Sequence, residues 1–443
     1  MRYQEVELLA IGAGPSSLAL AVAVEELAKD ELAKDTLIVE QHDDVVWQRG
    51  MLLPWAQSQV SFLKDLVSLR NPRSAFSFVN YLHSVGRLDE FVNLGSFTPY
   101  RMEISNYLAW VARSLPNVRI EYGARCVSVR PFGVADGAGE WIVEMADGAR
   151  IVARHLVVAA GRDAHIPSVF ADVPRELLIH STEFAARFGK LDPALTKRVV
   201  VVGGAQSAAE MLWSAHQALP NARCTMVMRS IGLNAYETSR FTNELFYPSF
   251  VDEFHTAGSA AREQLLREMH RTNYAGLTPE MIDTLYRQVY IERLTGNERI
   301  EMIPMVDIVA AESDGHEVVL TLADRKSGTH STHRCDVVLL GTGFARSMPK
   351  IVRGLADAVG LDEVSVNRSY RMSLPPSFTG TCHLQGVNES THGIADSLLS
   401  LLAARAEEIV TDLLALRATT LVPRIDMPST AQPLAGFAQG VQP

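Results

Sequence analysis

The chain has 443 residues, of which 47% are hydrophobic and 21% charged, so it is neither disordered nor a collagen-like fibre and has room for roughly two to three domains. Its formal net charge of −10 lacks the basic surplus of a nucleic-acid-binding protein. The four cysteines form no CxxC pair and no metal-ligand spacing, so we expect a reduced, cytoplasmic protein without disulfides or a bound metal.

The first elements along the chain are a strand, a turn, a helix and a second strand. Apolar residues favour a strand at Val6–Ile11 and a helix at Leu18–Ala28, separated by the turn GAGPSS at 12–17. Thr36–Glu40 is the second strand, and the right-handed crossover through the helix makes the two strands parallel. The uncharged run 8–24 lacks the basic flank of a signal peptide and is interrupted by glycine and proline, so we expect no membrane span.

The middle of the chain repeats this pattern after a mixed segment. We expect helices and loops over 45–120, antiparallel strands at Val118–Pro131 and Trp141–Met145, and a buried strand at Leu156–Ala160. A second unit of strand, turn, helix and strand then surrounds the sequence GGAQSAAE at 203–210. Because this unit occurs twice, the sequence indicates an α/β fold with two Rossmann-like units.

The C-terminal part mixes helices with two further strands. Residues 235–300 are helix and loop, and buried strands follow at Asp336–Leu340 and His383–Val387. Leucine and isoleucine residues over 398–416 mark one face of a long helix. The last segment, 421–443, is rich in Pro, Ala, Gly and Gln, which predicts a flexible tail.

The first glycine-rich turn has the composition of a dinucleotide-binding site. Gly12 and Gly14 allow a tight turn and a close approach of phosphate, and Pro15 and Ser16 open a helix whose N-terminus attracts an anion. Glu40 ends the following strand, where an acid binds ribose hydroxyls. Serine replaces the third glycine of the motif, and the alternative interpretation is a purely structural turn.

The second glycine-rich turn is less regular. Gly203, Gly204, Gln206 and Ser207 provide a similar helix start, although alanine stands where the second motif glycine is expected. Arg229 ends the next strand, where a cation suits the 2′-phosphate of NADP; a solvated surface arginine is the alternative. Two dinucleotide sites in one chain indicate a flavoprotein that a nicotinamide reduces, with FAD in one turn and NADPH in the other.

Longer motifs make the sequence more specific. They are, in chain order, WQRGMLLPWAQSQVSFLKDLVSLRNPRSAFSFVNYL, PYRMEISNYLAW, GGAQSAAE, RFTNELF, RTNYAGL, DVVLLGTGF and NESTHGIADSLLS. In this order they resemble the N-hydroxylating flavin monooxygenases of siderophore biosynthesis, the L-ornithine and L-lysine N-monooxygenases, over residues 5–410.

The resemblance implies an enzyme that uses FAD, NADPH and molecular oxygen to hydroxylate the side-chain amine of L-ornithine. The product is N-hydroxyornithine, for a siderophore or a related hydroxamate. The run after FLKDL and the RTNY motif favour the ornithine branch over the lysine branch. The attacking amine must be neutral, whereas a free alkylamine has a pKa of about 10.4, so neutral hydrogen-bonding groups suit this site better than a carboxylate.

The resemblance also assigns substrate residues by motif position. Lys64 of FLKDL pairs with the α-carboxylate, and Asn243 and Asn273 hold the α-carboxylate and the α-amino group. Gln59 lies near the flavin ring and NADP, so Gln59, Lys64 and Asn273 are the residues expected to take part in catalysis. Read without the resemblance, Lys64 is a surface residue and the two asparagines are helix caps.

Four further positions are assigned to the flavin and to the substrate side chain. Trp47 lies beside the flavin, and Gln48 stands where relatives have histidine, so it hydrogen-bonds without titrating near neutral pH. Asp396, in the run THGIAD, is expected to contact the flavin, and Ile394 the substrate side chain.

The resulting fold class is α/β with two dinucleotide-binding, Rossmann-like domains. The FAD-binding domain is discontinuous, comprising 1–165 and 345–420, and the NADPH-binding domain at 166–344 is inserted into it. A small helical substrate region at 235–300 lies within the insert. The resemblance also implies a homo-oligomer, with a tetramer as one form.

Three alternatives stay open from the sequence. A lysine or diamine N-monooxygenase has the same motifs and differs in substrate. A flavin disulfide reductase has a related fold but needs a redox CxxC or CxxxxC, which this sequence lacks. A non-catalytic nucleotide-binding protein would keep the fold without the reaction.

Overall fold

The computed structural model describes residues 3–133, 139–274, 276–376 and 378–421, so nearly all of the predicted tail, 422–443, lies outside the described residues. The strands are β1 Gln4–Ile11, β2 Thr36–Val39, β3 Arg119–Glu121, β4 Cys126–Phe132, β5 Glu140–Met145, β6 Arg150–Val158, β7 Leu178–His180, β8 Arg198–Val202, β9 Arg223–Val227, β10 Ile300–Ile303, β11 Val306–Ser313, β12 Val318–Asp324, β13 His330–Cys335, β14 Val337–Leu340 and β15 Thr381–Leu384. The helices are α1 Pro15–Leu27, α2 Phe78–Ser84, α3 Leu88–Leu94, α4 Arg101–Ser114, α5 Phe184–Phe188, α6 Gln206–Ala218, α7 Arg240–Glu244, α8 Phe250–Thr256, α9 Ser259–Asn273, α10 Pro279–Thr295, α11 Lys350–Ala358, α12 Glu389–His392 and α13 Leu402–Leu421.

The first sheet brings the C-terminal part of the chain back to the first strand. Its order is β3-β2-β1-β6-β5-β4, and β15 also pairs with β6. One edge of β6 pairs in parallel with β1, and the other pairs with β5 in an antiparallel sense and, further along, with β15 in a parallel sense. Because β1, β6 and β15 run in parallel, their carboxyl ends meet at one edge of the sheet.

The second sheet contains five parallel strands in the order β10-β9-β8-β14-β7. The carboxyl ends of β8 and β14 lie side by side, since Val202 pairs with Leu340. A third, antiparallel sheet, β11-β12-β13, packs its apolar face on the second through a buried cluster that includes Val200, Val318 and Leu320. The strand before each glycine-rich turn, β1 or β8, therefore pairs in parallel with both of its neighbours, as the sequence predicts.

Helix α1 is buried over most of its length against α4, α13 and the first sheet. Its sequence PSSLALAVAVEEL is apolar on every face, which is typical of a helix enclosed by protein. The predicted strands and helices around both turns are confirmed, with end points shifted by a few residues. The two turns are thus supported by the best-packed elements of their units.

Some predicted elements are wrong in detail. The single antiparallel strand at Val118–Pro131 is two strands, since β3 pairs in parallel with β2 and β4 pairs with β5. Gly123, at φ +65°, makes the turn between them. The helix predicted over 398–416 begins at Leu402, because the residues before it form short 3₁₀ turns whose leucines pack against α8 and α9.

One further strand lies at a different position from the predicted one, and others were not predicted. The strand predicted at His383–Val387 is Thr381–Leu384, and Gly386, at φ +76°, lies beyond its end. Strands β7, β10 and the three-stranded sheet were not predicted. β13, with the sequence HSTHRC, is exposed over most of its length, so it lacks the apolar signal on which strand prediction depends.

Candidate functional site

The first glycine-rich turn leaves the carboxyl end of β1 and leads into α1. Gly12 donates its backbone N–H to Val39 O at 2.8 Å and has φ +92°, and a Cβ there would lie 2.9 Å from Ala159 O. Glycine alone adopts this position without strain. A Cβ on Gly14 would meet no described atom within 4 Å, and Pro15 is the first residue of α1, so the helix N-terminus can be approached by an anion.

Glu40 follows β2 and lies against the same turn. Its carboxylate accepts the backbone N–H of Ala13 at 2.8 Å and that of His42 at 2.9 Å. Two backbone donors hold the carboxylate in one orientation and leave lone pairs that can accept a hydroxyl. The turn, the helix start and this acid therefore fit a dinucleotide.

A buried arginine that the sequence analysis did not predict supports this turn. Arg405 of α13 donates to Ser16 Oγ at 2.8 Å, to Asp396 Oδ1 at 2.8 Å and to Gln385 Oε1 at 3.1 Å. The other oxygen of Asp396 accepts the backbone N–H of Asn388 at 2.7 Å. The predicted residues Ser16 and Asp396 are thus brought together by one guanidinium.

The second glycine-rich turn leaves β8 with a similar geometry. Gly203 donates its backbone N–H to Val227 O at 3.0 Å and has φ +137°, and a Cβ there would lie 2.5 Å from Gly341 O. A Cβ on Gly204 would lie 2.9 Å from Ser230 Oγ. The backbone approach at Gly203 requires glycine, whereas the hydroxyl of Ser230 could rotate away from a side chain at position 204. The turn fits a second dinucleotide despite the alanine that follows it.

Gln206, the first residue of α6, belongs to a largely buried hydrogen-bond network that joins α6 to α4. Its Nε2 donates to Glu210 Oε1 at 2.9 Å, and its Oε1 accepts the backbone N–H of Thr278 at 3.0 Å. Glu210 forms a bidentate ion pair with Arg101 of α4 at 2.6 and 2.7 Å, and both side chains are buried. Arg101 also donates to Met51 O at 3.1 Å. The sequence analysis predicted Gln206 but neither member of the ion pair.

The other two predicted residues of the second turn lie at its rim. Ser207 is half-buried in the first turn of α6, and Arg229 is exposed two residues after β9. The pKa of Asp307 is lowered, chiefly by a hydrogen bond from Arg325 and also by the charge of Arg229. Arg229 therefore lies near the exposed ion pair of Arg325 and Asp307. It follows the carboxyl end of β9, and the glycine-rich turn follows the carboxyl end of the parallel strand β8.

Lys64 contacts the turns that precede α13. Its Nζ donates to Ser400 Oγ at 3.1 Å, and the residue lines a small, mostly apolar cavity with Phe62, Tyr107 and Leu399. Burial lowers the pKa of Lys64, as expected for an ammonium removed from water. Lys64 is therefore half-buried, unlike the solvated surface residue that the sequence read alone would suggest.

The two predicted asparagines lie on helices that meet the same segment. Asn243 is exposed on α7, and Asn273 is half-buried at the end of α9. Neither amide hydrogen-bonds through its side chain to another described residue, so both keep donors and acceptors for a ligand. Ile394 is buried with Phe246, two residues beyond the end of α7, and with Met269 of α9. The chain just after α7 and helix α9 therefore both approach the segment that contains Ser400, the partner of Lys64. In the part of the chain that the structure describes, the predicted substrate residues form no hydrogen bonds with one another.

The residues predicted to flank the flavin lie between α4 and the helical region. Gln59 is exposed, and its Oε1 accepts the hydroxyl of Tyr236 at 3.1 Å. Trp47 is half-buried and donates its backbone N–H to Ser105 Oγ at 3.1 Å. Gln48 is exposed at φ +48°, a left-handed conformation that is uncommon outside glycine.

Tyr274 is a further residue that sequence reasoning missed. Its hydroxyl hydrogen-bonds to the Glu389 carboxylate and lies 3.1 Å from Ser397 Oγ, and Arg162 pairs with Glu389 at 3.1 Å. The contact joins the end of α9 to the segment before α13. The position of the tyrosine within the motif RTNY was the available signal.

The four cysteines are free and do not form a redox pair. Cys224, Cys335 and Cys382 are buried, and Cys126 is partly buried. Burial raises the pKa of Cys126 to about 11 and the pKa values of Cys224 and Cys335 to about 12. Such thiols do not suit the disulfide reductase that the sequence left as an alternative.

Metal clusters and membrane-spanning helices are both absent from the described ranges. Across residues 3–133, 139–274, 276–376 and 378–421, no cluster of histidine, cysteine and acidic side chains is arranged to bind a metal ion. Over those same ranges, each helix is too short or too polar to cross a lipid bilayer.

Comparison with known proteins gives one consistent family. Residues 4–346 match the L-lysine 6-monooxygenase/L-ornithine 5-monooxygenase family. The chain is 35% identical to the L-ornithine N(5)-monooxygenase of Pseudomonas aeruginosa over 411 residues, which cover 91% of this chain and 92% of that protein. The similarity therefore extends over both glycine-rich turns and the segments between them.

Two solved structures share the architecture. The ornithine hydroxylase from Pseudomonas aeruginosa has a TM-score of 0.86 and 34% identity, covering 93% of this chain and 100% of that one. The ornithine N-hydroxylase from Kutzneria sp. 744, solved with reduced FAD, NADP⁺ and L-ornithine, has a TM-score of 0.86, 31% identity and the same coverage. These similarities confirm the predicted α/β fold class.

Proposed function

Because the chain belongs to the L-lysine 6-monooxygenase/L-ornithine 5-monooxygenase family, we propose that it hydroxylates the side-chain amine of L-ornithine with FAD, NADPH and molecular oxygen. The product is N-hydroxyornithine, used for a siderophore or a related hydroxamate. The observation that carries the assignment of an amino-acid substrate is that Lys64 is half-buried and hydrogen-bonded to Ser400 at 3.1 Å, in a segment that packs against α8 and α9, while Asn243 and Asn273 keep their amides available.

Each glycine-rich turn takes one cofactor. The first holds the diphosphate and ribose of FAD through Gly12, Gly14, Pro15, Ser16 and Glu40, with Trp47, Gln48, Gln59 and Asp396 toward its flavin ring. The second holds NADPH through Gly203, Gly204, Gln206, Ser207 and Arg229. When bound, FAD takes electrons from NADPH and supplies the oxygen chemistry. The chain's own residues then have to bind the amino acid, orient it and exclude water.

The α-carboxylate of ornithine binds to the ammonium of Lys64. Asn243 and Asn273 hold the α-carboxylate and the α-amino group, and Ile394 lies against the side chain. Because burial lowers the pKa of Lys64, a carboxylate bound beside it favours its protonated form again. The amino-acid end is thereby fixed, so the side-chain amine is the group presented to the flavin.

An apolar cluster encloses the segment next to this site. Ile394, Ala395 and Leu401 are buried with Phe246 and Met269 of the helical region. Buried apolar side chains keep water away from this segment, and excluding water from the reaction limits the release of hydrogen peroxide. The helical region therefore both binds substrate and shields the reaction.

An amine panel tests this function. Purified protein with FAD and NADPH is given L-ornithine, L-lysine or 1,4-diaminobutane, and hydroxylamine, peroxide and NADPH consumption are measured. We expect ornithine to have the highest kcat/KM, by roughly tenfold or more over lysine, since one methylene is worth about 1–3 kcal/mol of discrimination. A higher kcat/KM with lysine or the diamine would show that the assignment of ornithine as the substrate is wrong. A protein without yellow flavin and without NADPH oxidation would contradict enzymatic activity.

Arg229 is expected to select NADPH over NADH. Arg229→Ala should raise the KM for NADPH about tenfold and leave the KM for NADH nearly unchanged, because a charged hydrogen bond contributes about 1.5–3 kcal/mol. The measurement is steady-state kinetics with each nicotinamide. Arg223, an exposed arginine at the opposite end of β9, is the matched control. Equal losses with both nicotinamides would contradict contact with the 2′-phosphate.

We infer that the cofactors divide the chain into an FAD-binding domain at 1–165 and 345–420 and an NADPH-binding domain at 166–344. The positions of the strands support this division, since β1–β6 and β15 form one sheet and β7–β10 and β14 another. Helices α7–α10 lie in the helical region at 235–300. The homo-oligomeric state and the cytoplasmic location stay predictions.

A further inference from the structure

Arg405 of α13 connects the start of α1 to the segment between β15 and α13. Its side chain is 1% exposed, and it donates to Ser16 at the start of α1, to Gln385 just after β15 and to Asp396 in the turn before α13. The arginine also donates to the backbone carbonyl of Asp396. A guanidinium buried with this many partners is held in a single orientation.

The direction of these hydrogen bonds decides what the partners can offer to a ligand. A guanidinium has donors only, so Ser16 Oγ and Gln385 Oε1 both act as acceptors toward Arg405. The hydroxyl proton of Ser16 and the amide protons of Gln385 are therefore left to donate elsewhere. Within the described residues, Gln385 Nε2 is buried without a partner, and so is the Oγ of Ser17, which follows Ser16 in the first turn of α1.

The charge of Arg405 is already neutralised. Asp396 is fully buried, and its carboxylate lies 2.8 Å from the guanidinium and accepts the backbone N–H of Asn388 as well. Arg405 therefore does not act as a free cation for a phosphate. Its effect on a ligand must pass through the side chains that it orients.

We propose that Arg405 is a positioning residue that aims the Ser16 hydroxyl and the Gln385 amide, as donors, at the FAD bound in the first glycine-rich turn. The backbone N–H groups at the start of α1 are donors of the same kind, and the open side of Gly14 gives the diphosphate access to them. This inference rests on the proposed function to the extent that FAD occupies the first turn.

The test is a double-mutant cycle on FAD affinity. Dissociation constants are measured by flavin fluorescence titration of FAD-depleted protein for wild type, Ser16→Ala, Arg405→Met and the double variant. We expect each single variant to weaken FAD binding about tenfold. In the Arg405→Met background, Ser16→Ala should cost less than twofold, because the hydroxyl is no longer aimed.

The outcomes separate positioning from a structural role and from failure of the proposed function. A tenfold cost of Ser16→Ala in both backgrounds, or an unchanged FAD affinity in Arg405→Met, would overturn the inference. If Arg405→Met does not fold, Arg405→Lys, which keeps a cation beside Asp396, takes its place in the cycle. The control is Arg417→Met, on the same helix as Arg405. This substitution removes an ion pair with Glu7 of β1 and should leave the FAD affinity unchanged. Wild-type protein that binds no FAD would contradict the proposed function itself.

Discussion

Replacing Lys64 by alanine is expected to raise the KM for L-ornithine about tenfold to a hundredfold while NADPH still reduces the flavin. The ammonium is the proposed partner of the α-carboxylate, and a hydrogen bond between charged groups contributes about 1.5–3 kcal/mol. A loss of that size corresponds to roughly one to two powers of ten in binding. Steady-state kinetics over a range of ornithine concentrations, with stopped-flow measurement of flavin reduction, separates the two effects.

Two further variants show whether the charge or the packing of Lys64 matters. Lys64→Met keeps most of the alkyl chain along the small cavity and removes the ammonium, so it should match the alanine variant in KM. Lys34→Ala, at an exposed lysine, should leave both measurements unchanged. Ornithine saturation identical to wild type in Lys64→Ala would show that the assigned role is wrong.

Replacing Glu210 by alanine is expected to lower the free energy of unfolding by about 3–5 kcal/mol. The substitution leaves the guanidinium of Arg101 buried without its counter-charge and removes the acceptor for Gln206 at 2.9 Å. A buried charge without a partner costs far more than a lost surface contact. Urea denaturation followed by tryptophan fluorescence measures the change.

An exposed bidentate ion pair provides the control. Arg325 pairs with Asp307 in a bidentate manner at 2.6 and 2.7 Å, with both side chains about 40% exposed. Asp307→Ala should therefore cost no more than about 1 kcal/mol. The double variant Arg101→Met/Glu210→Leu should recover much of the loss, since no buried charge is left unpaired. A loss at Glu210 no larger than that at Asp307 would contradict the prediction.

The parts of the fold that could be predicted are those where the local apolar pattern agrees with the burial of the element in the structure. Strand β1 and helix α1 have apolar patterns that only buried elements satisfy, and the turn between them needs glycine at Gly12 for steric reasons. Strand β3 was misassigned because its pairing with β2 depends on a turn at Gly123, and neither strand's apolar pattern distinguishes parallel from antiparallel partners. The exposed strand β13 offers no apolar pattern at all.

The candidate site divides in the same way. The glycine-rich turns and Glu40 could be predicted because the chemistry of a dinucleotide demands those residue types at those spacings. Arg405 and Ser16 are 389 positions apart, so no local pattern reports their contact. The one available signal was an arginine within the apolar side of a predicted helix, where an unpaired charge is unfavourable and a partner has to exist.

The burial of the cysteines affects how readily the protein is inactivated by oxidation. Oxidation of a thiol needs a thiolate that solvent can reach, and burial holds the pKa of each of the four thiols well above neutral pH. A flavoprotein that handles oxygen exposes itself to oxidants whenever a turnover fails. Three of its four sulfhydryl groups are buried, and all four stay protonated near neutral pH, so those oxidants meet few reactive thiolates on this chain.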